Sequence, residues 1–159
     1  MRTRHSTLVV TLASVAALTA GAASTQAYAG PSNDRPAPAV REVAQGRQDA
    51  PVSVDVAGPV QVNFREIVLP PGSGTGKHCH YGQLIAVVKQ GTFTHYAPIY
   101  PGGVHRYVAG DSVVEGSGYV HEGRNEGKQA VVLWVTYVTP EGKPLAETDL
   151  TKCSSQGGG

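Results

Sequence analysis

Short apolar stretches alternate with glycine- and proline-rich segments between about residues 51 and 139. The stretches are rich in Val, Ile, Thr and Tyr, and no segment shows a sustained helical period. Strands of an all-β sandwich or barrel have this composition and this spacing. We therefore predict an antiparallel double-sheet barrel over 51–139. The predicted strands are VSVDV, VQVNFREIVL, LIAVVK, TFTHY, HRYV, DSVVE and AVVLWVTYV.

The two ends of the chain lack this pattern. Residues 1–29 begin with two arginines, continue with an uncharged apolar run and close on a small-residue site at Ala29, the order of a secretory signal peptide. Residues 30–50 are rich in Pro, Ala and polar residues and predict a flexible arm, and residues 140–159 predict a polar tail. We expect a secreted protein that keeps no membrane span once the signal peptide is cleaved.

Charge and cysteine content narrow the choice of partners. Removal of residues 1–29 leaves 11 Lys and Arg against 12 Asp and Glu, a net charge of −1. This balance does not favour nucleic acid or an anionic membrane, so we expect the partner to be a small-molecule ligand or substrate, or another protein. Cys79 and Cys153 are the only cysteines, and a disulfide can persist in an exported chain. The Cα separation decides whether they pair, so a disulfide and two free thiols both remain open.

The segment KHCHYGQ places two histidines one residue apart. Side chains alternate across a strand, so His78 and His80 project to one face and Cys79 to the other. This alternation disfavours a chelate made by all three side chains. Two imidazoles on one face can share a metal ion, and the alternative is a pair of solvent-facing histidines.

The intervals around these histidines resemble the two sequence motifs of the cupin superfamily, in particular of its small, single-domain bacterial members. The matching positions are Gly72, His78, His80 and Gly91 in the first motif and Gly110, Gly118, His121 and Asn125 in the second. The resemblance covers 51–139 and implies a double-stranded β-helix, the jelly-roll barrel of cupins. It also implies that His78, His80 and His121 bind one divalent metal inside the barrel. Cupins frequently dimerise, so a homodimer is a further implication of the resemblance.

Two positions depart from the cupin motifs. Gly116 replaces a proline, a change that a turn tolerates. Leu84 stands where the first motif has its metal-binding glutamate. Three neutral imidazoles alone would leave the site at +2, which favours Zn, Cu, Ni or Fe over Mn, although the metal identity stays open among these five. Gln83 is a candidate fourth ligand if a bulge at Gly82 turns it inward, and a hydrogen bond beside the site is its alternative role.

The other polar residues near the motifs are expected to have ordinary structural roles. His95 and His105 lie on neighbouring predicted strands and could rim the cavity, but we expect them at the surface or at a strand edge, because surface histidines are the commoner outcome. Glu115 flanks a turn and is expected to be solvated. Glu122 should point away from the site by alternation, and Asn125 is expected to form a turn.

Three functional hypotheses follow. The first is a metal-dependent oxidoreductase of the dioxygenase type acting on a small chelating substrate, which is what the resemblance implies for a metal with open coordination positions. The second is a non-catalytic module that binds a small ligand or a metal. The third is a structural barrel. No residue pattern in the sequence identifies a general base, so the sequence leaves catalysis open.

Overall fold

The computed structural model describes residues 38–154, and this part of the chain is all-β as predicted. The predicted signal peptide, residues 30–37 of the arm and residues 155–159 of the tail lie outside the described residues. The helices within 38–154 are two single 3₁₀ turns, Pro101–Gly103 and Leu150–Lys152, and neither is long or apolar enough to cross a membrane. The strands are β1 Val60–Leu69, β2 Gln83–Gln90, β3 Thr92–Tyr96, β4 Val104–Val108, β5 Ser112–Glu115, β6 Glu122–Arg124 and β7 Val131–Pro140.

Two antiparallel sheets form the barrel. The larger sheet has the order β1-β7-β2-β5 and the smaller has the order β4-β3-β6. The predicted antiparallel double-sheet architecture is confirmed. In the larger sheet, β2 and β5 run in a register that places Leu84 directly opposite Glu115. This pairing decides the composition of the site described below.

The core lies between the sheets. β7 alternates buried and half-buried residues along its whole length, as a strand with one face in the core should. Its buried side carries Val131, Leu133, Val135 and Tyr137, which pack with inward residues of β2, β3 and β5. The outward residues of β7 are half-buried.

The ends of the described chain lie against the barrel. Arg47 donates its backbone N–H to the Gly110 carbonyl (2.9 Å) and accepts from Ser112 N–H (2.8 Å), so the arm joins the edge of β5. Cys79 and Cys153 form a disulfide with a Cα separation of 5.9 Å, which resolves the alternative left open by the sequence. A cross-link over 74 residues stabilises the fold by about 4 kcal/mol through its effect on the unfolded chain.

Candidate metal centre

Four buried side chains meet at one end of the barrel interior. His78 and His80 precede β2, His121 precedes β6 and Glu115 is the last residue of β5. His78 and His121 are held together by a reciprocal pair of backbone hydrogen bonds of 3.0 and 2.9 Å. The four residues offer one ligand atom each, all within 4.8 Å of one another. The structure thus brings the three sequence-predicted histidines together and adds a carboxylate.

Backbone carbonyls orient all three histidines. The Nδ1 atoms of His78 and His121 lie 2.9 and 3.1 Å from the carbonyl oxygens of Gly76 and Tyr119. The Nδ1 atom of His80 lies 2.6 Å from the carbonyl oxygen of Leu145. A carbonyl oxygen only accepts, so each Nδ1 carries the hydrogen and, in a neutral ring, Nε2 carries the free lone pair. This is the arrangement in which protein histidines bind metals.

The Nε2 atoms face the Glu115 carboxylate. Oε2 of Glu115 lies 2.9 Å from Nε2 of His80 and 3.2 Å from Nε2 of His121. The buried Nε2 of His121 has no hydrogen-bond partner. A lone pair on nitrogen and a carboxylate oxygen repel each other at these distances unless a cation lies between them. The arrangement therefore requires either a proton or a metal ion, and its mixed imidazole and carboxylate donors suit a divalent metal.

The pKa values of Glu115, His121 and His78 show how these side chains affect one another when a proton lies between the carboxylate and the imidazoles. Burial alone would raise the pKa of Glu115, but the imidazoles of His121 and His80 hold it well below its usual range. Burial alone would lower the pKa of His121, but the Glu115 carboxylate outweighs burial and raises it. The pKa of His78 is lowered by burial. Glu115 and His121 thus each favour the charged form of the other.

His95 also belongs to the site, so its expected position at the surface is wrong. It is fully buried on β3, with Nε2 3.1 Å from Glu115 Oε1 and without a hydrogen-bond partner. Its Nδ1 lies 2.6 Å from the hydroxyl of Tyr100, which lies 3.0 Å from the hydroxyl of Tyr107. Burial lowers the pKa of His95 to about 4, so the ring is neutral at pH 7. His105, by contrast, is exposed on β4 as expected.

Glu115 is the member of this cluster that sequence reasoning missed, and its expected solvation is wrong. It is only 6% exposed. Directly opposed residues of antiparallel strands place their Cβ atoms about 5 Å apart on the same face. The carboxylate missing at Leu84 is therefore supplied from the facing position on β5. The expected charge of +2 on a bound ion becomes +1, which removes the argument against Mn.

Gln83 lies away from this cluster. Its Oε1 accepts from the backbone N–H of Asp55 (3.0 Å), in an exposed position. β2 begins at Gln83 and pairs with β7 in regular register as far as Val88, so no bulge within these residues turns Gln83 inward. Gly82 serves another purpose, since a Cβ there would lie 2.0 Å from the Val138 carbonyl oxygen. The inward turn proposed for Gln83 is thus wrong, and its side chain holds the backbone of Asp55.

The remaining motif residues have structural roles. The amide nitrogen of Asn125 donates to the carbonyls of Leu69 and Gln129 (2.8 Å each), and its Oδ1 accepts from Gly127 N–H (3.0 Å). Asn125 thus ties the end of β1 to a turn, as predicted. Glu122 points away from the cluster and pairs with Arg124 at 2.8 Å, also as predicted.

Two spaces adjoin the cluster. A cavity of about 30 Å³ inside the barrel touches His78 and Glu115 and is otherwise lined mainly by apolar side chains such as Leu84 and Phe93. This volume suits one or two water-sized ligands. On the outside, an open pocket of about 250 Å³ reaches His121 and is bordered by Lys77 and Tyr96.

Comparison with known families agrees with this geometry. Residues 65–137 match the family model described as the cupin domain. This region is a cupin domain. The predicted superfamily is thereby confirmed, and His78, His80, Glu115 and His121 all lie within the matched region of the cupin.

Solved structures resemble the cupin barrel in part. A predicted oxalate decarboxylase from Thermotoga maritima is 27% identical over 48% of this chain and 64% of its own, with a TM-score of 0.43. A protein from Thermus thermophilus is 20% identical over 50% of this chain and 72% of its own, with a TM-score of 0.44. A DMSP lyase from Ruegeria pomeroyi is 17% identical over 62% of this chain and 45% of its own, with a TM-score of 0.47. No curated protein shows significant sequence similarity to the chain.

Proposed function

We propose that the protein is a secreted cupin that binds one divalent transition metal through His78, His80, Glu115 and His121 and catalyses an oxygenase-type reaction on a small chelating substrate. The observation that carries the proposal is the convergence of three oriented Nε2 atoms on one buried carboxylate. Export is supported by the signal-like order of residues 1–29 and by the disulfide, which persists in oxidising compartments.

The donor set favours iron or manganese. Four protein ligands on a six-coordinate ion leave two positions for other molecules, and imidazole–carboxylate sites with open positions are typical of non-haem iron oxygenases. A metal bound there would supply a site where a substrate oxygen and dioxygen can be held together. The protein's own contribution is the Glu115 charge, which offsets half of the charge of a divalent ion, and the burial that excludes water.

A chelating substrate would approach from the pocket beside His121. Lys77 and Glu122 at its border carry opposite charges, and Tyr96 and Val120 give it an apolar wall. The inner cavity of about 30 Å³ takes only the part of a ligand that reaches the metal. We therefore expect compact diketones to be better substrates than flavonols.

The same small cavity supports a second candidate, a non-catalytic metal-binding module. Small-molecule sites usually enclose several hundred Å³, whereas the space inside this barrel is about 30 Å³. A metal held there would reach only water-sized ligands. Both candidate functions use the same metal centre, but only the oxygenase converts a substrate.

Metal analysis combined with oxygen uptake separates them. The purified protein would be loaded with Fe²⁺ or Mn²⁺ and analysed for metal by mass spectrometry, with His121→Ala as the site variant and His105→Ala as the control on an exposed histidine. Oxygen consumption would be measured over diketones, catechols and flavonols.

We expect one metal per chain in the wild type and in His105→Ala, much less in His121→Ala, and oxygen uptake with a small diketone. Stoichiometric metal without oxygen uptake would favour the binding module. Failure of the wild-type protein to retain either metal would contradict both candidates.

A further inference from the structure

The C-terminal tail beyond the cupin match contributes to the metal centre. The match ends at residue 137, yet the carbonyl that orients His80 belongs to Leu145. We propose that the Leu145 carbonyl is a positioning group for His80 and that the Cys79–Cys153 disulfide holds the tail in the place where it acts. The inference rests on the metal-binding function proposed above.

The anchors of the three histidines differ in origin. His78 and His121 each bond a carbonyl two residues away, so their orientation is a local property of the chain. His80 bonds a carbonyl 65 residues away. If the tail moves, His78 and His121 keep their partners, whereas His80 loses the acceptor that keeps its hydrogen on Nδ1 and its lone pair toward Glu115.

Several contacts fix the tail beside the ligand segment. Cys79 and Glu147 exchange two backbone hydrogen bonds (3.1 and 2.9 Å) immediately between the two histidines of the first motif. Tyr81 donates its hydroxyl to Glu147 Oε2 (2.9 Å). At the far end, Ser154 N–H donates to the Gly118 carbonyl (2.7 Å), and Gly118 N–H donates to the His80 carbonyl (2.9 Å). The tail therefore contacts both neighbours of His80, the backbone of Cys79 and the hydroxyl of Tyr81.

The disulfide is the covalent part of this attachment. Cys79 lies between two ligands, but its side chain points to the opposite face and bonds Cys153. The bond can thus hold the tail without entering the metal site. The sequence 140–159 is mostly polar. Without the disulfide, the tail depends on the Leu145 side chain, which packs against the hydrophobic core, and on hydrogen bonds that water can replace.

The test compares two variants that loosen the tail in different ways. Cys153→Ser removes the covalent attachment, and Glu147→Ala keeps the disulfide but removes the bonds to Tyr81 and to Asp149 N–H. Glu141→Ala is the control, because this residue is exposed on the same tail and lies before the segment that contacts His80. The measurements are the dissociation constant for Mn²⁺, the NMR signal of the His80 Nδ1 proton, and unfolding of the metal-free protein.

We expect Cys153→Ser to weaken Mn²⁺ binding tenfold to about a hundredfold, the usual range for loss of an outer partner of a metal-bound histidine. Glu147→Ala should weaken it less, and Glu141→Ala should leave it unchanged. The downfield Nδ1 proton signal of His80 should be present in the wild type and in Glu141→Ala and should be lost in Cys153→Ser.

A merely structural tail would give a different result. Cys153→Ser and Glu147→Ala would then lower the unfolding temperature while the folded variants kept the wild-type dissociation constant and the His80 signal, which overturns the proposal. If Cys153→Ser does not fold, Glu147→Ala decides. If the wild type binds no Mn²⁺ or other divalent metal, the proposed function fails, and the His80 proton signal still shows whether the tail positions the ring.

Discussion

The two ends of the barrel interior lie on the same strands but are stabilised by different interactions. On β5, Val113 and Glu115 both point inward and are two residues apart. Val113 lies among apolar residues of β2 and β7, whereas Glu115 lies among four histidines. Two successive inward-pointing residues of β5 therefore belong to different environments, one to the hydrophobic core and the next to the candidate metal centre.

The difference shows what each end needs to be stable. The apolar end is stabilised by burial itself, at about 25 cal/mol for each Å² removed from water. The polar end buries an ionised carboxylate, which costs several kcal/mol unless a cation compensates it. The apolar end is complete as it stands, and the polar end is complete only with a proton or a metal beside Glu115.

The largest expected effect comes from removing that charge. Glu115→Gln keeps the shape of the side chain but leaves the three imidazoles without a carboxylate. We expect the affinity for Mn²⁺ or Fe²⁺ to fall on the order of 100-fold or more, as measured by metal titration. Gln83→Ala is the matched control and should leave the affinity unchanged, since the Gln83 side chain bonds the backbone of Asp55 away from the cluster.

A charge swap tests whether the position of the carboxylate or its strand of origin matters. The double variant Leu84→Glu with Glu115→Leu moves the carboxylate across the β2–β5 pair to the position of the cupin motif. Opposed side chains lie close enough that we expect affinity within about tenfold of the wild type. Affinity as low as that of Glu115→Gln would show that only β5 can deliver this ligand.

The pH dependence of the unfolding free energy, measured without added metal, tests the contribution of His95 at the polar end of the barrel. His95 titrates at about 4 when folded and near 6.5 when unfolded. Between these values the unfolded chain binds more protons, so stability falls as pH drops from 6.5 to 4. His95→Gln should remove about 3 kcal/mol of this change, measured by urea unfolding across that range. Parallel curves of unfolding free energy against pH for the wild type and for His95→Gln would contradict the lowered pKa of His95.

The apolar end should respond in stability alone. Val113→Ala leaves a cavity in the core and is expected to cost about 2 kcal/mol of unfolding free energy. Because Val113 offers no ligand atom, metal affinity should stay within about twofold of the wild type when the protein is folded. A loss of affinity comparable to that of Glu115→Gln would mean that the two ends are not independent.

Sequence patterns predicted six of the seven strands and the barrel, and the resemblance to the cupin motifs implied the convergence of His78, His80 and His121, because period-two alternation and motif intervals are local properties. The stretch VSVDV was wrongly predicted as a strand, and β6 was not predicted. Sequence patterns did not predict Glu115, although inward Val113 two residues earlier was a usable signal. Its pairing with Leu84 depends on the register of β2 and β5, which short strands do not reveal. His95 was missed for the same reason.

The tail was missed for a different reason. Its polar composition predicts little packing, and its attachment combines a disulfide, backbone hydrogen bonds, the Tyr81–Glu147 side-chain bond and the packing of Leu145 against the core. Backbone hydrogen bonds leave no mark on residue type, and the pairing of two cysteines depends on distance. The role of Leu145 follows only from the folded structure, since its carbonyl rather than its side chain contacts His80.

The most direct test of the account is a crystal structure of the Mn²⁺-loaded protein with anomalous diffraction data. We predict one anomalous peak among His78, His80, Glu115 and His121, with three Nε2 atoms and one Glu115 oxygen about 2.0–2.3 Å from it. A metal held by the three histidines alone, with the Glu115 carboxylate turned away, would contradict the claim that β5 supplies the missing ligand. The absence of any peak at this cluster would contradict the metal centre itself.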